Sequence, residues 1–149
     1  IFTDLTPLAE KAVITLELAG DGVMTGSDAL IYRMIFNLTE NAIKYNRPDG
    51  SVQVCITQEP EKLLILVSDT GRGIPEEYQQ SIFQPFFRVD KSRSRTFGGA
   101  GLGLALVWEI AALHGGSVRV AESSDSGTTI AAELPRSGNH AADPKNEML

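Results

Sequence analysis

The sequence predicts an α+β fold, a two-layer α/β sandwich in which a mixed, mainly antiparallel sheet packs on helices. Three observations lead there. Elements follow in the order helix, strands, helix, strands; both long helices carry apolar residues at helical spacing; and the strand-like runs are short and bracketed by turn residues. At 149 residues the chain is most simply one domain, large enough to bury roughly 68 to 70 per cent of its unfolded surface without a disulfide or metal staple. With 42% apolar and 21% charged residues it has the composition of an ordinary globular domain.

Thr6-Pro7 suits a helix start, but the helical run to Ala12 is short and passes into Val13 to Leu18, which alternates like a strand. Asp21-Gly22 marks a turn. Ser27-Asp28 offers an N-cap to a long helix that stops at Asn46-Arg47-Pro48, because proline disfavours helical geometry in the residue before it. Two strands follow, Ser51 to Gln58 and Lys62 to Asp69, read as an antiparallel pair joined by Glu59-Pro60-Glu61. The single cysteine, Cys55, lies in the first of them and is expected to be buried and inert, which fits a reducing cytoplasm.

A helical turn is expected after Pro75, then Ile82 to Phe87, then a basic, glycine-flanked loop from Arg88 to Gly99. Arg88, Lys91, Arg93 and Arg95 stand there against Asp90, a local +3 in a chain of net charge −6. That overall charge argues against non-specific nucleic-acid binding. A second helix, Gly101 to His114, has Leu102, Leu106, Ile110 and Leu113 at helical spacing and Gly115-Gly116 as its cap, with His114 structural or solvated. Two last strands, Ser117 to Glu122 and Thr128 to Leu134, flank the Asp125-Ser-Gly127 turn. Residues 1–135 are thus expected to form the domain, and the polar stretch Arg136 to Leu149 a disordered tail. No apolar run reaches the 18 residues a membrane span needs. The abrupt opening at Ile1 suggests a piece of a longer protein.

Three polar features interrupt this scaffold. On the long helix Asn37, Asn41 and Lys44 share one side, with Tyr45 beside them. Such a stripe suits a polar ligand, with a metal and a phosphate among the candidates; it also suits a solvated face. Asp69-Thr-Gly71-Arg-Gly73-Ile-Pro75 places a carboxylate at the end of an apolar strand, where it needs a donor partner. The exocyclic amine of an adenine would serve, with the glycines admitting a flat ring, although the same pattern makes a good tight turn. Gly98-Gly-Ala-Gly101-Leu-Gly103 opens the second helix as an anion site in outline or a hinge. It is neither a dinucleotide fingerprint nor a Walker A loop, since no βαβ unit surrounds it and no Lys-Ser/Thr follows.

Taken in order, these stretches resemble the ATP-binding catalytic domain of bacterial sensor histidine kinases, within the gyrase, heat-shock chaperone and histidine kinase ATPase superfamily. Asn37 to Tyr45 is similar to its N box, Asp69 to Pro75 to its first glycine box and Phe83 to Asp90 to its F box. Gly99 to Leu104 is similar to the second glycine box and Gly127-Thr-Thr129 to the third. The resemblance covers Ser27 to Pro135 and implies the Bergerat-type ATP-binding fold.

It also implies roles. Asn41 matches the magnesium ligand; Asn37, Lys44 and Tyr45 match positions that hold phosphates, ribose or the water shell of the metal. Asp69 matches the adenine-reading carboxylate, with Gly71, Gly73, Ile74 and Thr128 around it. Gly99, Gly101, Leu102 and Gly103 match the phosphate-facing second glycine box. Arg88 matches the F-box arginine and is the first candidate for the γ-phosphate, with Lys44 and Asn37 as further catalytic candidates; Arg88 to Gly99 matches the ATP lid. Ala100 stands where many relatives have Thr or Ser, a loss of roughly 0.5 to 1.5 kcal/mol at most. The hydrolytic members carry a glutamate base where this chain has Asn37, and Glu40 lies on a different helix face.

The implied function is transfer of the γ-phosphate of Mg-ATP to a histidine on a separate dimerisation domain of the parent protein, thence to a response regulator. Neither His114 nor His140 stands in the context of an acceptor. The implied location is a cytoplasmic domain of a membrane-anchored parent. An ATP-binding regulatory module without transfer, or a serine kinase acting on an anti-sigma antagonist, shares the fold and is the alternative.

Overall fold

In the computed structural model, which describes residues 7, 9, 15–20, 28–87 and 103–136, five strands form one sheet. They are β1 (Thr15–Gly20), β2 (Ser51–Gln58), β3 (Lys62–Asp69), β4 (Ser117–Ser124) and β5 (Gly127–Pro135). Their order is β1-β2-β3-β5-β4. β1 runs parallel to β2 and every other pair is antiparallel. The parallel pair follows from its connection, because a helix, α1 (Asp28–Lys44), crosses between the two strands. A second helix, α2 (Gly103–Leu113), crosses before β4 and packs on α1 and on the sheet. The α+β sandwich expected from the sequence is the fold observed.

The core forms where the helical layer meets one sheet face. Met34, Leu38, Ala42 and Ile43 of α1 meet Val52, Val54, Ile65 and Val67 of the central strands, all nearly inaccessible to solvent. Thr128, Ile130, Ala132 and Leu134 share the inward face of β5, as strand alternation requires. Truncating a side chain such as Ile65 to alanine in this layer costs about 2 to 5 kcal/mol.

β2 and β3 begin and end where expected. β1 runs to Gly20, two residues past the expected end at Leu18, while residues 13 and 14 lie outside the described residues. β4 and β5 reach farther into their hairpin than expected, leaving only Asp125 and Ser126 as the turn. β4 also carries a bulge: Val120 pairs with Ile130 and Glu122 with Thr129, so Ala121 is an extra residue.

The apolar stripe of α2 differs from the expected one. Val107, Ile110 and Ala111 are buried, whereas Leu106 and Leu113 are 40% and 48% exposed. The helix is apolar nearly all round, so its neighbours choose the buried face, and they lie on the side of Val107. α2 ends in a Schellman cap, with Gly116 N–H donating to Ala111 O at 2.8 Å and Gly115 N–H to Ala112 O at 3.0 Å. His114 is buried there, its Nδ1 2.8 Å from Ile110 O, which settles it as structural. Cys55 is half-buried, not enclosed. Arg136, the first residue of the expected tail, is held to the β2–β3 turn by its N–H to Glu61 O at 3.0 Å and its guanidinium to Glu59 O at 2.9 Å. The remainder of that tail, 137–149, lies outside the described residues.

Candidate functional site

Asp69 closes β3, and its two carboxylate oxygens meet different surroundings. Oδ1 accepts the Gly71 N–H at 2.9 Å and the Thr128 N–H at 3.2 Å. Oδ2 takes no hydrogen bond from any described residue. Burial pushes the carboxyl above the usual aspartate value of 3.8, and the two backbone hydrogen bonds offset this only in part. The group is therefore a fixed, partly desolvated acceptor with one oxygen available to a ligand's N–H.

The backbone crowds closely around it. Gly127, at φ 139°, lies so near that a Cβ would meet the Asp69 carbonyl, and Gly73, at φ 81°, would drive a Cβ into the Ser124 carbonyl. Only glycine combines that conformation with that approach. From this corner a line of hydrogen bonds runs outward: Ile74 N–H donates to Ser123 Oγ at 2.8 Å, and Ser123 Oγ lies 2.8 Å from Thr128 Oγ1. Thr128 is 5% exposed.

A second network fixes the same corner to α1. Asn46, buried just past the helix, donates from Nδ2 to Ser51 O at 2.8 Å and accepts at Oδ1 from Arg47 N–H at 2.8 Å and Thr70 Oγ1 at 3.0 Å. Thr70 Oγ1 in turn accepts Ser51 N–H at 2.9 Å. One amide thus ties the end of α1 to the start of β2 and the end of β3. The Arg47–Gly50 turn between them closes with Gly50 N–H on Arg47 O at 3.0 Å, Asp49 adopting φ 65°. In the sequence Asn46 reads only as a helix terminator, and nothing marks Ser123. The Asn before a Pro-Asp-Gly turn was visible, but its bonding to Ser51 and Thr70 is tertiary.

On α1, Asn37, Asn41 and Lys44 do share one side, at spacings of four and three residues. Asn37 is 8% exposed and donates from Nδ2 to the Gly103 carbonyl at 3.4 Å, joining the stripe to the start of α2. Asn41 is half-buried, and its side chain bonds to no other described residue. Lys44 Nζ lies 3.7 Å from Glu40 Oε1, a half-exposed pair worth well under about 1 kcal/mol. Tyr45 is half-buried where Gly71 packs against its carbonyl. Gly103 has open space beyond its Cα, with no atom of a described residue within 4 Å of a notional Cβ. Beneath α2 the F-box stretch anchors through Ile82 and Phe83, both buried, the Phe83 ring 5.5 Å from that of Trp108. Arg88, Gly99, Gly101 and Leu102, with the whole expected lid, lie outside the described residues.

The described residues thus place a polar helix stripe along α1 and a carboxylate corner at the end of β3, tied together through Asn46 and Thr70. The chain belongs to the histidine kinase-, DNA gyrase B-, and HSP90-like ATPase family, whose model matches residues 26–138. It is an ATP-binding domain of the histidine kinase type. Sensor histidine kinase RppB of Synechocystis sp. is 38% identical over 117 residues, 78% of this chain and 26% of RppB. Among solved structures, the mycobacterial sensor histidine kinase MprB aligns at 29% identity and TM-score 0.75, over 91% of each chain. Full-length ShkA in complex with AMPPNP aligns at 25% identity and TM-score 0.78, over 95% of this chain and 29% of ShkA. The chain spans 14% to 29% of the length of the curated relatives it matches first.

Proposed function

We propose that this chain is the catalytic module of a two-component sensor histidine kinase, transferring the γ-phosphate of Mg-ATP to a histidine on a dimerisation domain of its parent, from which a response regulator takes it. The single observation that carries the reading is Asn37. The hydrolytic branch of the resembled superfamily has its glutamate base at that position, and here the position holds an amide committed as a donor to the Gly103 carbonyl. An amide cannot accept a proton from water at neutral pH. The nearby carboxylate, Glu40, pairs with Lys44. Transfer to a protein side chain needs positioning and charge stabilisation more than a base on this domain.

In this reading the adenine amine donates to Asp69 Oδ2, while Gly71, Gly73 and Ile74 line the ring and Thr128 stands beside it. Phosphates lie toward Asn37, Lys44, Tyr45 and the glycines at 99, 101 and 103, with Leu102 between them; Arg88 meets the γ-phosphate. The residues fit a magnesium ion in that Asn41 offers an amide with no other described partner. One amide oxygen suffices for an ion that keeps several waters and bridges phosphates. Bound there, magnesium would neutralise phosphate charge. Among the described residues no helix is long and apolar enough to cross a membrane, which accords with a domain borne on the cytoplasmic side of an anchored parent.

The test is reconstitution. The chain, a dimerisation fragment of its parent and γ-labelled ATP should give magnesium-dependent label on histidine, stable to base and labile to acid. Release of free phosphate with no labelled histidine would sink the reading.

A further inference from the structure

The Asp69 corner explains an acceptor for the base, but an acceptor alone discriminates poorly. Adenine presents a donor, its exocyclic amine, beside an acceptor, ring N1; a complementary site needs a donor beside its carboxylate. Thr128 adjoins Asp69, since its own N–H binds Oδ1. Its hydroxyl has one hydrogen, however, and that hydrogen can serve the ligand only if it is not spent on Ser123, 2.8 Å away.

The neighbours of Ser123 decide this. Its Oγ already accepts the Ile74 N–H at 2.8 Å. A hydroxyl whose oxygen is accepting is a stronger donor, and bonds aligned head to tail polarise one another. This favours the order Ile74 N–H to Ser123, then Ser123 O–H to Thr128, in a pair whose oxygen positions alone admit either donor. The reverse direction would break that alignment. With Ser123 donating, the Thr128 hydrogen is released from the protein and turned to the ligand.

The bulge in β4 makes the arrangement possible. Val118 and Val120 turn to the core, so strict alternation would send Glu122 inward and Ser123 outward. The extra residue Ala121 reverses that parity and sets Ser123 opposite Thr128.

We propose that Ser123 is a positioning residue which orders the Thr128 hydroxyl as a donor to ring N1 of the bound nucleotide, directly or through one water, and thereby completes selection for adenine. This rests on the ATP reading above. The probes are ATP and 1-deaza-ATP, which keeps the amine but lacks the N1 acceptor, titrated calorimetrically into the 149-residue chain and its Ser123→Ala variant. In the wild type 1-deaza-ATP should bind about two- to tenfold more weakly than ATP, the worth of one hydrogen bond. In Ser123→Ala the Thr128 hydroxyl keeps its hydrogen but loses the donor that orients it, so that ratio should fall toward one, through loss of ATP affinity with 1-deaza-ATP little changed. Equal weakening of both nucleotides would assign Ser123 a merely structural role and overturn the proposal while leaving the ATP reading intact. Equal binding of the two by the wild type would overturn it as well, and absence of ATP binding by the wild type would overturn both readings.

Discussion

The side-chain amide of Asn37 meets the carbonyl of Gly103 at 3.4 Å, joining α1 to the first residue of α2 across 66 positions of sequence. The bond is sheltered, Asn37 being 8% exposed. It sets the distance between the polar stripe and the helix end that faces the phosphates in the proposed site. Asn37→Asp keeps the shape but turns a donor into an acceptor against that carbonyl. The expected cost is about 1 to 3 kcal/mol in urea unfolding, with weaker ATP binding; an unchanged midpoint would show that the two groups are not bonded in solution.

Asp69→Asn should separate binding from stability. The native Asp69 pKa lies above the usual 3.8, so the folded state holds the proton more tightly than the unfolded chain. Its contribution to stability is therefore fully present below about pH 3.8 and is lost as pH rises through the native value. At pH 7 the ionised group works against the fold. An asparagine still accepts from Gly71 and Thr128 but presents an N–H where the base amine must donate. The variant should be as stable as the wild type or more so at pH 7, with a flatter stability profile on acidification, and calorimetry should find no ATP binding.

Asn46→Ala removes a buried amide that serves Ser51 O, Arg47 N–H and Thr70 Oγ1. Destabilisation of about 2 to 4 kcal/mol is expected, because partners left dry and unpaired cost more than the bonds themselves contributed. ATP affinity should fall with it, since Thr70 adjoins both Asp69 and Gly71. A variant that melts at the wild-type temperature would mean that water replaces the amide.

Asn41→Ala is the opposite case. Its side chain bonds to no other described residue, and alanine is the better helix former, so stability should hold or rise by up to about 0.5 kcal/mol. Magnesium-dependent phosphotransfer to a supplied dimerisation fragment should nevertheless disappear. Wild-type transfer rates in this variant would remove Asn41 as the metal ligand.

Phe83 is buried against Trp108, the one tryptophan in the chain. Phe83→Ala should cost about 3 to 5 kcal/mol and shift tryptophan emission to the red as the indole gains water. Unchanged emission would mean that the rings do not meet in solution.

What the sequence made legible follows from which forces are local. β2 and β3 were placed to the residue, because Asp49-Gly50 and Glu59-Pro60-Glu61 bracket apolar runs that have no other reading. The expected stripe of α2 included Leu106 and Leu113, which the fold leaves exposed, because in a helix apolar on every side the period carries no direction. The polar stripe of α1 was visible from spacing. The partners of Asn37, Asn46 and Ser123 were not, since each is set by a segment distant in sequence or by a bulge that alternation cannot announce.

The bulge at Ala121 also governs how this hairpin tolerates changes in length. Removing Ala121 would leave a regular strand in which Glu122 still pairs with Thr129 and Ser123 still faces Thr128. Removing Val120 with it would reverse the parity, turning Glu122 toward the core and Ser123 to solvent. This side of the hairpin thus tolerates the loss of one residue, the bulged one, whereas the loss of two would silence the site without unfolding the sheet.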